Sequence, residues 1–251
     1  MQNNYPIKIC TWNLWFSTFV QKNRIETAMS ELQSQDHDII CLQEITNSII
    51  NTINQCPIIN THQLIYDAKN IISYGQVFLV KNSLCPHITI FQSISFPKSK
   101  MSRKICQLSL DTGITILNVH LESEFVDHPL ESDTKFHQLK FLLQYAQNFD
   151  KVIICGDCNI GIPDELLFTS IINKNRFCEI GPKQNTYDYK RNSNIKDHFQ
   201  SRLDRIFCNF PCQYQNNPLL GLTPLFVRLS NQVLKCYPSD HFGLNMVIFP
   251  N

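Results

Sequence analysis

Short apolar segments recur along almost the whole chain, and they limit the folds it can adopt more than any other feature. Runs of this kind, rich in Ile, Val and Leu and bounded by polar or turn-forming residues, are typical of β-strands. We predict strands at Ile7–Leu14, Asp38–Leu42, Gly75–Val80, Ile88–Ser95, Ile105–Leu110, Ile114–His120, Val152–Cys155, Leu203–Cys208 and Leu244–Phe249. Few of them are separated by a helical pattern, so sheets must dominate the fold.

Two segments carry apolar residues at helical spacing, Asn23–Gln35 and Ser132–Phe149, and Ser132 is a suitable N-cap for the second. The strands on either side of Asp111-Thr112-Gly113 are expected to form an antiparallel hairpin. A purely parallel, doubly wound sheet is therefore disfavoured. We predict an α/β fold in which mixed sheets are layered with helices.

The composition indicates a folded chain with a substantial core. Of the 251 residues, 43% are hydrophobic and 17% are charged, a balance that argues against intrinsic disorder. A chain of this length could form two small domains, but no repeat and no Gly/Ser-rich or Pro-rich linker interrupts it. We therefore predict a single domain over residues 1–251.

The formal net charge is +1, so a nucleic-acid partner would have to be attracted by a local groove. The longest apolar runs, Pro218–Phe226 and Leu244–Pro250, are much shorter than the roughly 20 residues of a membrane span. The polar start of the chain does not resemble a signal peptide. We expect a monomeric intracellular protein, nuclear or cytoplasmic, without membrane association.

The chain has 11 cysteines. Several lie within predicted strands, where cysteine behaves as a small apolar residue, and disulfides are not expected in a reducing compartment. A zinc site is an alternative, because Cys155 and Cys158 have C-x-x-C spacing and Cys208 and Cys212 could supply two further ligands. Asp157 lies between the first two cysteines, and a different role for it argues against a zinc motif at this position.

Several predicted strands end in residues that bind magnesium or phosphate, which is the most informative functional pattern in the sequence. Taken singly, each such residue could serve only in a turn or a structural hydrogen bond. Strand ends that meet at one edge would assemble them into a cluster of carboxylates, amides and imidazoles. The residues are Asn13, Glu44, His120, Asp157, Asn159, Asp204, Asp240 and His241. Such a cluster is what metal-assisted attack on a phosphate requires.

Chemical reasoning gives most of these residues distinct roles. Mg²⁺ prefers oxygen ligands, and Glu44 is the best candidate, with Asp240 beside it or acting through water. Asp157 would orient and deprotonate the attacking water, while Asn13 and Asn159 donate amide hydrogen bonds.

The last two residues of the set are an imidazole and a carboxylate. His241 is expected to stabilise the negative charge that builds on the phosphoryl oxygens. Asp204 is expected to fix the orientation of that histidine.

The motifs that carry these residues resemble those of the endonuclease/exonuclease/phosphatase superfamily. In chain order they are Thr11-Trp12-Asn13, Gln43-Glu44, His120-Leu121-Glu122-Ser123, Gly156-Asp157-Cys158-Asn159, Arg202-Leu203-Asp204-Arg205 and Ser239-Asp240-His241. The resemblance spans nearly the whole chain. It implies a DNase I-like fold, a four-layer sandwich of two mixed β-sheets flanked by helices, and hydrolysis of phosphate diesters or monoesters with Mg²⁺ or Mn²⁺.

Within this superfamily the chain is most similar to the 5′-tyrosyl-DNA phosphodiesterases. The similarity lies in residues 120–123, in Phe96-Pro97 followed by Met101 and Arg103, in Gln138-Leu139 and in Thr186-Tyr187-Asp188. It implies a substrate in which a DNA 5′ end is joined to a tyrosyl peptide of topoisomerase II. The substrate-binding residues implied by this similarity are Ser123, His120, Tyr187, Arg103 and Arg205.

Two positions depart from the animal members of that branch: Tyr187 replaces a tryptophan, and Gly161 stands where they have an arginine. Tyrosine can still stack on a base or sugar, but the missing guanidinium removes one substrate contact. The basic segments Lys98–Lys104 and Gly181–Arg205 and nearby aromatic residues indicate a groove for single-stranded DNA. RNA is a further option. An abasic-site endonuclease, a 3′ exonuclease, an RNA phosphodiesterase and a non-catalytic nucleic-acid-binding protein stay open as alternatives.

Overall fold

The structure is a computed structural model that describes residues 6–71, 73–123, 133–230 and 232–250. The α-helices are α1 (Gln21–Gln35), α2 (Asn47–Ile53), α3 (Asp133–Ala146) and α4 (Glu165–Lys174). The strands are β1 (Ile7–Asn13), β2 (Ile39–Ile45), β3 (His62–Ile65), β4 (Gly75–Lys81), β5 (Ile88–Ser95), β6 (Lys104–Leu110), β7 (Ile114–His120), β8 (Lys151–Asp157), β9 (Cys178–Glu179), β10 (Tyr187–Asp188), β11 (Gln200–Ser201), β12 (Asp204–Cys208), β13 (Cys212–Asn216), β14 (Leu225–Leu229), β15 (Gln232–Cys236) and β16 (Leu244–Pro250).

Most strands belong to two six-stranded sheets, in the orders β13-β16-β1-β2-β4-β3 and β5-β6-β7-β8-β12-β9. Each sheet contains one parallel pair, β1 with β2 and β7 with β8, and its other neighbours are antiparallel. The predicted mixed sheets and the hairpin through Gly113 are thereby confirmed. Two short ribbons, β10-β11 and β14-β15, stand apart from the sheets.

The two sheets pack face to face and the helices cover their outer faces. Alternate side chains of the strands form one buried cluster between the sheets, which includes Ile9, Cys41, Ile116 and Ile153. A second cluster lies between the first sheet and α1 and α2, and a third between the second sheet and α3 and α4. This order of helix, sheet, sheet and helix is the predicted four-layer sandwich. Among the described residues no helix is long and apolar enough to cross a membrane.

The predicted strands and both predicted helices are present, but the sequence pattern missed other elements. Helix α1 ends at Gln35 as predicted, whereas α3 ends at Ala146 because residues 147–149 form a hydrogen-bonded turn. The proposed N-cap Ser132 lies outside the described residues. The pattern did not reveal α2, whose N-cap Thr46 accepts a hydrogen bond from the amide of Ile49, or α4.

The zinc alternative is wrong. Cys155 belongs to the cluster between the sheets, whereas Cys158 belongs to the cluster under α3 and α4, on the other face of the second sheet. Cys208 and Cys212 lie with their Sγ atoms 3.7 Å apart on the inner side. The four sulfurs therefore cannot share one tetrahedral ion.

A polar layer closes one end of the inner cluster. The Gln43 side-chain amide donates to Oγ1 of Thr11 at 2.9 Å and, across the sandwich, to Oδ1 of Asn118 at 2.7 Å. The Asn118 amide in turn donates to the carbonyl oxygens of Leu42 and Val77. These buried hydrogen bonds fix the two sheets relative to one another directly beneath the strand ends that carry the predicted site residues.

Candidate active site

The parallel strands deliver their carboxyl ends to the same edge of the sandwich. His120 of β7 is the register partner of Asp157 of β8, which is in turn the partner of Asp204 of β12. These three residues lie side by side on neighbouring strands and, from the alternation of the strands, face the first sheet. Asn13, at the end of β1, meets them from across the sandwich through Asp157.

Asp157 is the centre of this constellation. Its carboxylate accepts hydrogen bonds from Nδ2 of Asn13 at 3.0 Å and from the amide of Asn159 at 2.9 Å, and Nε2 of His120 lies 3.3 Å away. Burial would raise the pKa of Asp157, but His120, His241 and Asn13 together hold it well below its usual range. The carboxylate is therefore ionised at neutral pH and aimed into the cleft.

Asn159 is held in place by its own hydrogen bonds. It has a left-handed φ of 50°, and its side-chain amide donates to the carbonyl oxygen of Leu121 at 2.9 Å. This turn after β8 places Asn159 at the wall of the cleft while its backbone amide remains on Asp157.

His241 forms a second pair with Asp204. Nδ1 of His241 lies 2.8 Å from Oδ2 of Asp204, and Nε2 points towards Asp157 at 3.9 Å. Burial alone would lower the pKa of His241, but the carboxylates of Asp204 and Asp157 raise it well above its usual value. The ring is therefore an imidazolium at neutral pH, a donor suited to negative charge on a phosphoryl oxygen.

Glu44 reaches the cleft because the backbone of β2 is irregular at that point. The register between β2 and β4 shifts between Leu42 and Ile45, and Glu44 has a left-handed φ of 59°. One carboxylate oxygen accepts the amide of Phe16 at 3.0 Å, and the other lies 4.0 Å from Nε2 of His120. Burial raises the pKa of Glu44.

Asp240 is the other acidic residue at this end of the cleft. Burial and the negative charge of Glu44 raise its pKa to about 7, against the lowering effects of His241 and Ser239. Ionisation of both carboxylates is disfavoured in this cleft, and a divalent cation would stabilise their negative charge. Carboxylate oxygens are also the hard donors that such a cation prefers. Glu44 and Asp240 therefore fit a Mg²⁺ or Mn²⁺ ion.

Asp157, Asp204 and His241 also have ligand atoms within 4.8 Å of one another. Two of these residues are already joined by the hydrogen bond between Nδ1 and Oδ2. A metal ion on this cluster would have to replace that bond.

His120 has a defined tautomer because of its neighbour Arg103. Nη1 of Arg103 lies 2.6 Å from Nδ1 of His120, and since a guanidinium only donates, Nδ1 must accept and Nε2 carries the proton. Burial and then the positive charge of Arg103 lower the pKa of His120 to about 4. Neutral His120 therefore presents an N–H to Asp157 and Glu44.

Arg103 itself is buried, with 4% of its surface exposed. Its guanidinium lies 5.2 Å from the ring centroid of Tyr74 and 3.4 Å, through Nη2, from Oγ of Ser123. In this structure Arg103 thus acts on the cleft through His120 and Ser123. The contact with substrate implied for it stays a prediction.

These groups surround a cleft of about 260 Å³. One wall is aromatic, with Tyr187 packed edge-on against His241 at 5.3 Å and beside Phe199 at 5.9 Å. The residues that line the cleft are Trp15, Phe16, Glu44, His120, Ser123, Lys135, Asp157, Asn159, Gly161, Tyr187, Phe199, Leu203, Asp240 and His241. Asn13, Arg103 and Asp204 lie directly behind them, hydrogen-bonded to lining residues.

The expected substrate contact of Arg205 is wrong. Its side chain is fully buried and points away from the cleft, where it forms ion pairs with Glu165 at 2.5 Å and Glu179 at 3.1 Å. Arg202 pairs with the same two carboxylates. Ion pairs within the protein therefore neutralise part of the positive charge of Gly181–Arg205.

Sequence reasoning also missed residues of the cleft. Phe16 and Lys135 both line the cleft, and Phe16 stacks on Tyr74 behind it with a centroid separation of 5.2 Å and an interplanar angle of 7°. Tyr74 and Phe16 lie in loops and Lys135 in the first turn of α3, so no strand-end pattern marks them. Only the packing of distant segments brings them to the site.

Comparisons with known proteins identify a family and several solved structures of the same fold. The sequence model of the Endonuclease/Exonuclease/phosphatase family matches residues 10–241. TDP2 from Caenorhabditis elegans superposes with a TM-score of 0.76 at 19% identity, covering 98% of this chain and 74% of that one. TDP2 from D. rerio, solved with a single-strand DNA product, gives a TM-score of 0.72 at 20% identity over 97% and 98% of the two chains.

A phosphatase also shares this fold. The mannosyl-6-phosphatase Bt3783 of Bacteroides thetaiotaomicron superposes with a TM-score of 0.69 at 14% identity, covering 96% of this chain and 99% of that one. A search of curated protein sequences found no match. At these identities the similarity to solved structures concerns the fold.

Proposed function

The chain belongs to the endonuclease/exonuclease/phosphatase family, and we propose that it is a divalent-metal-dependent phosphodiesterase that hydrolyses the 5′-phosphotyrosyl bond between a protein tyrosine and a DNA 5′ end. The observation that carries the proposal is the convergence of Glu44, Asp157, Asp240 and His241 on one cleft. These residues are far apart in sequence, and together they supply the acids and the imidazolium that phosphate hydrolysis needs. Such an enzyme would repair adducts of the topoisomerase II type.

In this proposal Glu44 and Asp240 hold a Mg²⁺ or Mn²⁺ ion. When bound, the ion neutralises phosphate charge and stabilises the leaving oxygen. Glu44 is suited to this role because the amide of Phe16 holds one oxygen and leaves the other directed at the cleft. Asp240 lines the same cleft, and its Oδ1 lies 3.3 Å from Oγ of Ser239.

Asp157 positions the attacking water and takes up its proton. Its pKa is low, so it is a weak base, and its larger contribution is to hold the water in line with the phosphorus. The bond from the water oxygen to phosphorus forms as the bond from phosphorus to the tyrosyl oxygen breaks, and the electron pair of that bond leaves on the tyrosyl oxygen as tyrosinate. Asn13 and Asn159 keep the carboxylate fixed during this exchange.

Several hydrogen-bond donors can stabilise the negative charge that develops on the phosphoryl oxygens. The imidazolium of His241 and the Nε2 proton of His120 both face the cleft, and Ser123 offers a hydroxyl. These donors are already oriented by Asp204 and Arg103, so little reorganisation is needed during the reaction.

The aromatic walls favour a single-stranded nucleic acid as the substrate. Tyr187, Phe199 and Phe16 line the cleft and offer ring faces and edges to bases or to the tyrosyl group. One of the structurally similar proteins, TDP2 from D. rerio, was solved with single-strand DNA product. DNA is therefore the first substrate to test, with RNA as a second arm.

A substrate panel tests the proposal. Oligonucleotides carrying 5′-tyrosyl DNA, 5′-tyrosyl RNA, 3′-tyrosyl DNA or an abasic duplex site are incubated with Mg²⁺, with Mn²⁺ and with chelator. We expect metal-dependent release of tyrosine from the 5′-tyrosyl DNA, and Glu44→Gln or Asp157→Asn should lower the rate at least about 100-fold with folding retained. Preferential cleavage of the abasic or 3′ substrate would assign a different phosphodiesterase activity.

A phosphomonoesterase is the second candidate, because the Bacteroides phosphatase shares the fold over 96% of this chain. A sugar phosphate monoester included in the same panel separates the two. Faster turnover of the monoester than of every oligonucleotide would favour this alternative.

A further inference from the structure

A lysine–aspartate pair lies beside the cleft and has no part in the chemistry above. Lys135, in the first turn of α3, lines the cleft with only 10% of its side chain exposed. Its Nζ lies 2.6 Å from Oδ2 of Asp164 and 3.2 Å from the carbonyl oxygen of Asn159. Because Asn159 holds Asp157 through its own backbone amide, the ammonium is separated from the catalytic carboxylate by a single residue.

The charges of the cleft make this lysine distinctive. Among the described lining residues, Lys135 is the only Lys or Arg. The acids Glu44, Asp157 and Asp240 are grouped with His241 and would be occupied with the metal ion and the reacting phosphate. A nucleic acid carries further phosphates along its chain, and Lys135 is the lining group with a fixed positive charge to meet one of them.

Asp164 is placed so that an incoming phosphate can compete with it. It ends the 3₁₀ helix Ile162–Asp164, and 27% of its side chain is exposed, against 10% for Lys135. Asp164 is therefore the more solvent-accessible member of the pair. The Lys135 ammonium is buried and needs a counter-charge, which an incoming phosphate would supply in place of the carboxylate.

We propose that Lys135 binds a nucleic-acid phosphate adjacent to the reacting one, and that Asp164 competes with this phosphate for the ammonium. The inference rests on the proposed function in taking the substrate to be a nucleic acid. It makes Lys135 a specificity-determining residue, since a substrate with a single phosphate has nothing to place there. Asp164 then restrains the binding of polyanions in general.

Substitution of Lys135 and substitution of Asp164 should have opposite effects on oligonucleotide binding. A purely structural ion pair would not show this difference. Lys135→Met should weaken binding of an oligonucleotide, whereas Asp164→Asn should strengthen it because the competing charge is gone. If the pair served only to hold α3 against residues 161–165, both substitutions would weaken binding. Lys135→Arg retains the positive charge and should bind within about threefold of the original chain.

The experiment measures binding of the full chain to a 5′-phosphorylated oligothymidylate by fluorescence anisotropy, in chelator so that nothing is hydrolysed. Salt is varied between about 50 and 200 mM. We expect Lys135→Met to lower the affinity about tenfold and to reduce the slope of log K against log salt by about 0.7, the value for one lost phosphate contact on a single strand. Asp164→Asn should raise the affinity several-fold. An unchanged slope in Lys135→Met, or weaker binding by Asp164→Asn, overturns the inference.

Kinetics distinguish failure of this inference from failure of the proposed function. The ratio of kcat/KM for a 5′-tyrosyl oligonucleotide to that for thymidine 5′-p-nitrophenyl phosphate should fall about tenfold in Lys135→Met. An unchanged ratio overturns the inference even when the tyrosyl substrate is cleaved. If the original chain cleaves neither compound, the proposed function fails, and the slope measured in chelator still decides the role of Lys135. Thermal melting of each variant shows whether it is folded.

Discussion

Nδ1 of His241 lies 2.8 Å from Oδ2 of Asp204, and this buried pair sets the charge of the imidazole that faces the cleft. The two residues come from β12 and from the loop before β16, which belong to different sheets. The loop is fixed independently, because the Trp12 indole donates to the carbonyl oxygen of His241 at 2.8 Å and Oγ of Ser239 donates to that of Asn13 at 2.6 Å. The imidazole is thus positioned by both sheets of the sandwich.

Asp204→Asn should reduce hydrolysis and shift its pH dependence. The Asp204 carboxylate raises the pKa of His241, so its removal lowers that pKa and the imidazolium loses its proton at a lower pH. We expect kcat to fall about 100-fold at neutral pH and the alkaline limb of the kcat profile to move to lower pH.

The matched control is Asp111→Asn, which breaks an exposed pair of the same length, 2.8 Å from His87, far from the cleft. It should leave the kcat profile unchanged. An alkaline limb in Asp204→Asn that coincides with that of the original chain would contradict the role assigned to the carboxylate.

Arg24 should be essential for stability. It is fully buried and donates to the carbonyl oxygens of Leu14, Trp15, Ser17, Phe19 and Pro238, which joins the loop carrying Phe16 to the segment before Asp240. Burial lowers its pKa only to about 10, so it stays charged at neutral pH. Arg24→Met leaves these carbonyls without their donor and should cost at least about 3 kcal/mol of unfolding free energy.

Chemical denaturation measures that loss. Lys22→Met is the control, since Lys22 is on the same helix with 70% of its side chain exposed and pairs with Glu26 at 3.8 Å. The control should change the unfolding free energy by less than about 0.5 kcal/mol. A similar small effect in Arg24→Met would show that the two loops are held by other contacts.

His37 should make the protein less stable as the pH falls below about 6.5. Its ring is buried, with Nε2 3.0 Å from Oδ1 of Asn245, and burial lowers its pKa in the folded state. The unfolded chain then binds the proton more readily than the folded one. The contribution of neutral His37 is complete above the unfolded pKa and is lost as the pH falls through the folded pKa.

The measurement is the melting temperature from pH 7.5 down to pH 5 for the original chain and for His37→Gln. The variant should lose less stability than the original chain over this window. His87→Gln, which removes an exposed histidine, should follow the original chain. Parallel curves for the original chain and His37→Gln would contradict the assignment.

The convergence of Asn13, Glu44, His120 and Asp157 could be predicted because strands have a strong signal and the carboxyl ends of parallel strands meet at one edge. The failure at Arg205 has a simple physical reason. Side chains alternate across a strand, so when Asp204 faces the first sheet, behind the cleft, its neighbour Arg205 must face the other side. The resemblance of the motif assigned both residues to the site. Because neighbouring side chains in a strand point to opposite faces, only one of the two can lie there.

Other parts of the site depend on contacts that no local pattern encodes. Tyr74 lies in a loop, and it supports the cleft only through its contacts with Arg103 and with the lining residue Phe16. Helix α4 was missed because Leu166 and Leu167 point outward and are 86% and 51% exposed, which spoils the amphipathic pattern. Lys135 could be recognised only once α3 was placed beside the cleft.

Gly156 should tolerate no side chain. It has a φ of 144°, and a Cβ atom there would lie 1.9 Å from the carbonyl oxygen of Val119 on the adjacent strand β7. Relief of that clash would separate β7 from β8 where they align His120 with Asp157. Gly156→Ala should therefore lower the melting temperature by more than about 10 °C or prevent folding, and abolish hydrolysis.

Gly113→Ala is the control, because Gly113 also has a positive φ, 81°, but no atom lies within 4 Å of the added Cβ. Its cost should be only the backbone strain of about 1 kcal/mol, a shift of roughly 2–4 °C in a chain of this size. Melting by circular dichroism and an activity assay on both variants make the comparison. If Gly156→Ala melted within the range of the control and remained active, the close approach of β7 and β8 would not be what holds the catalytic residues in register.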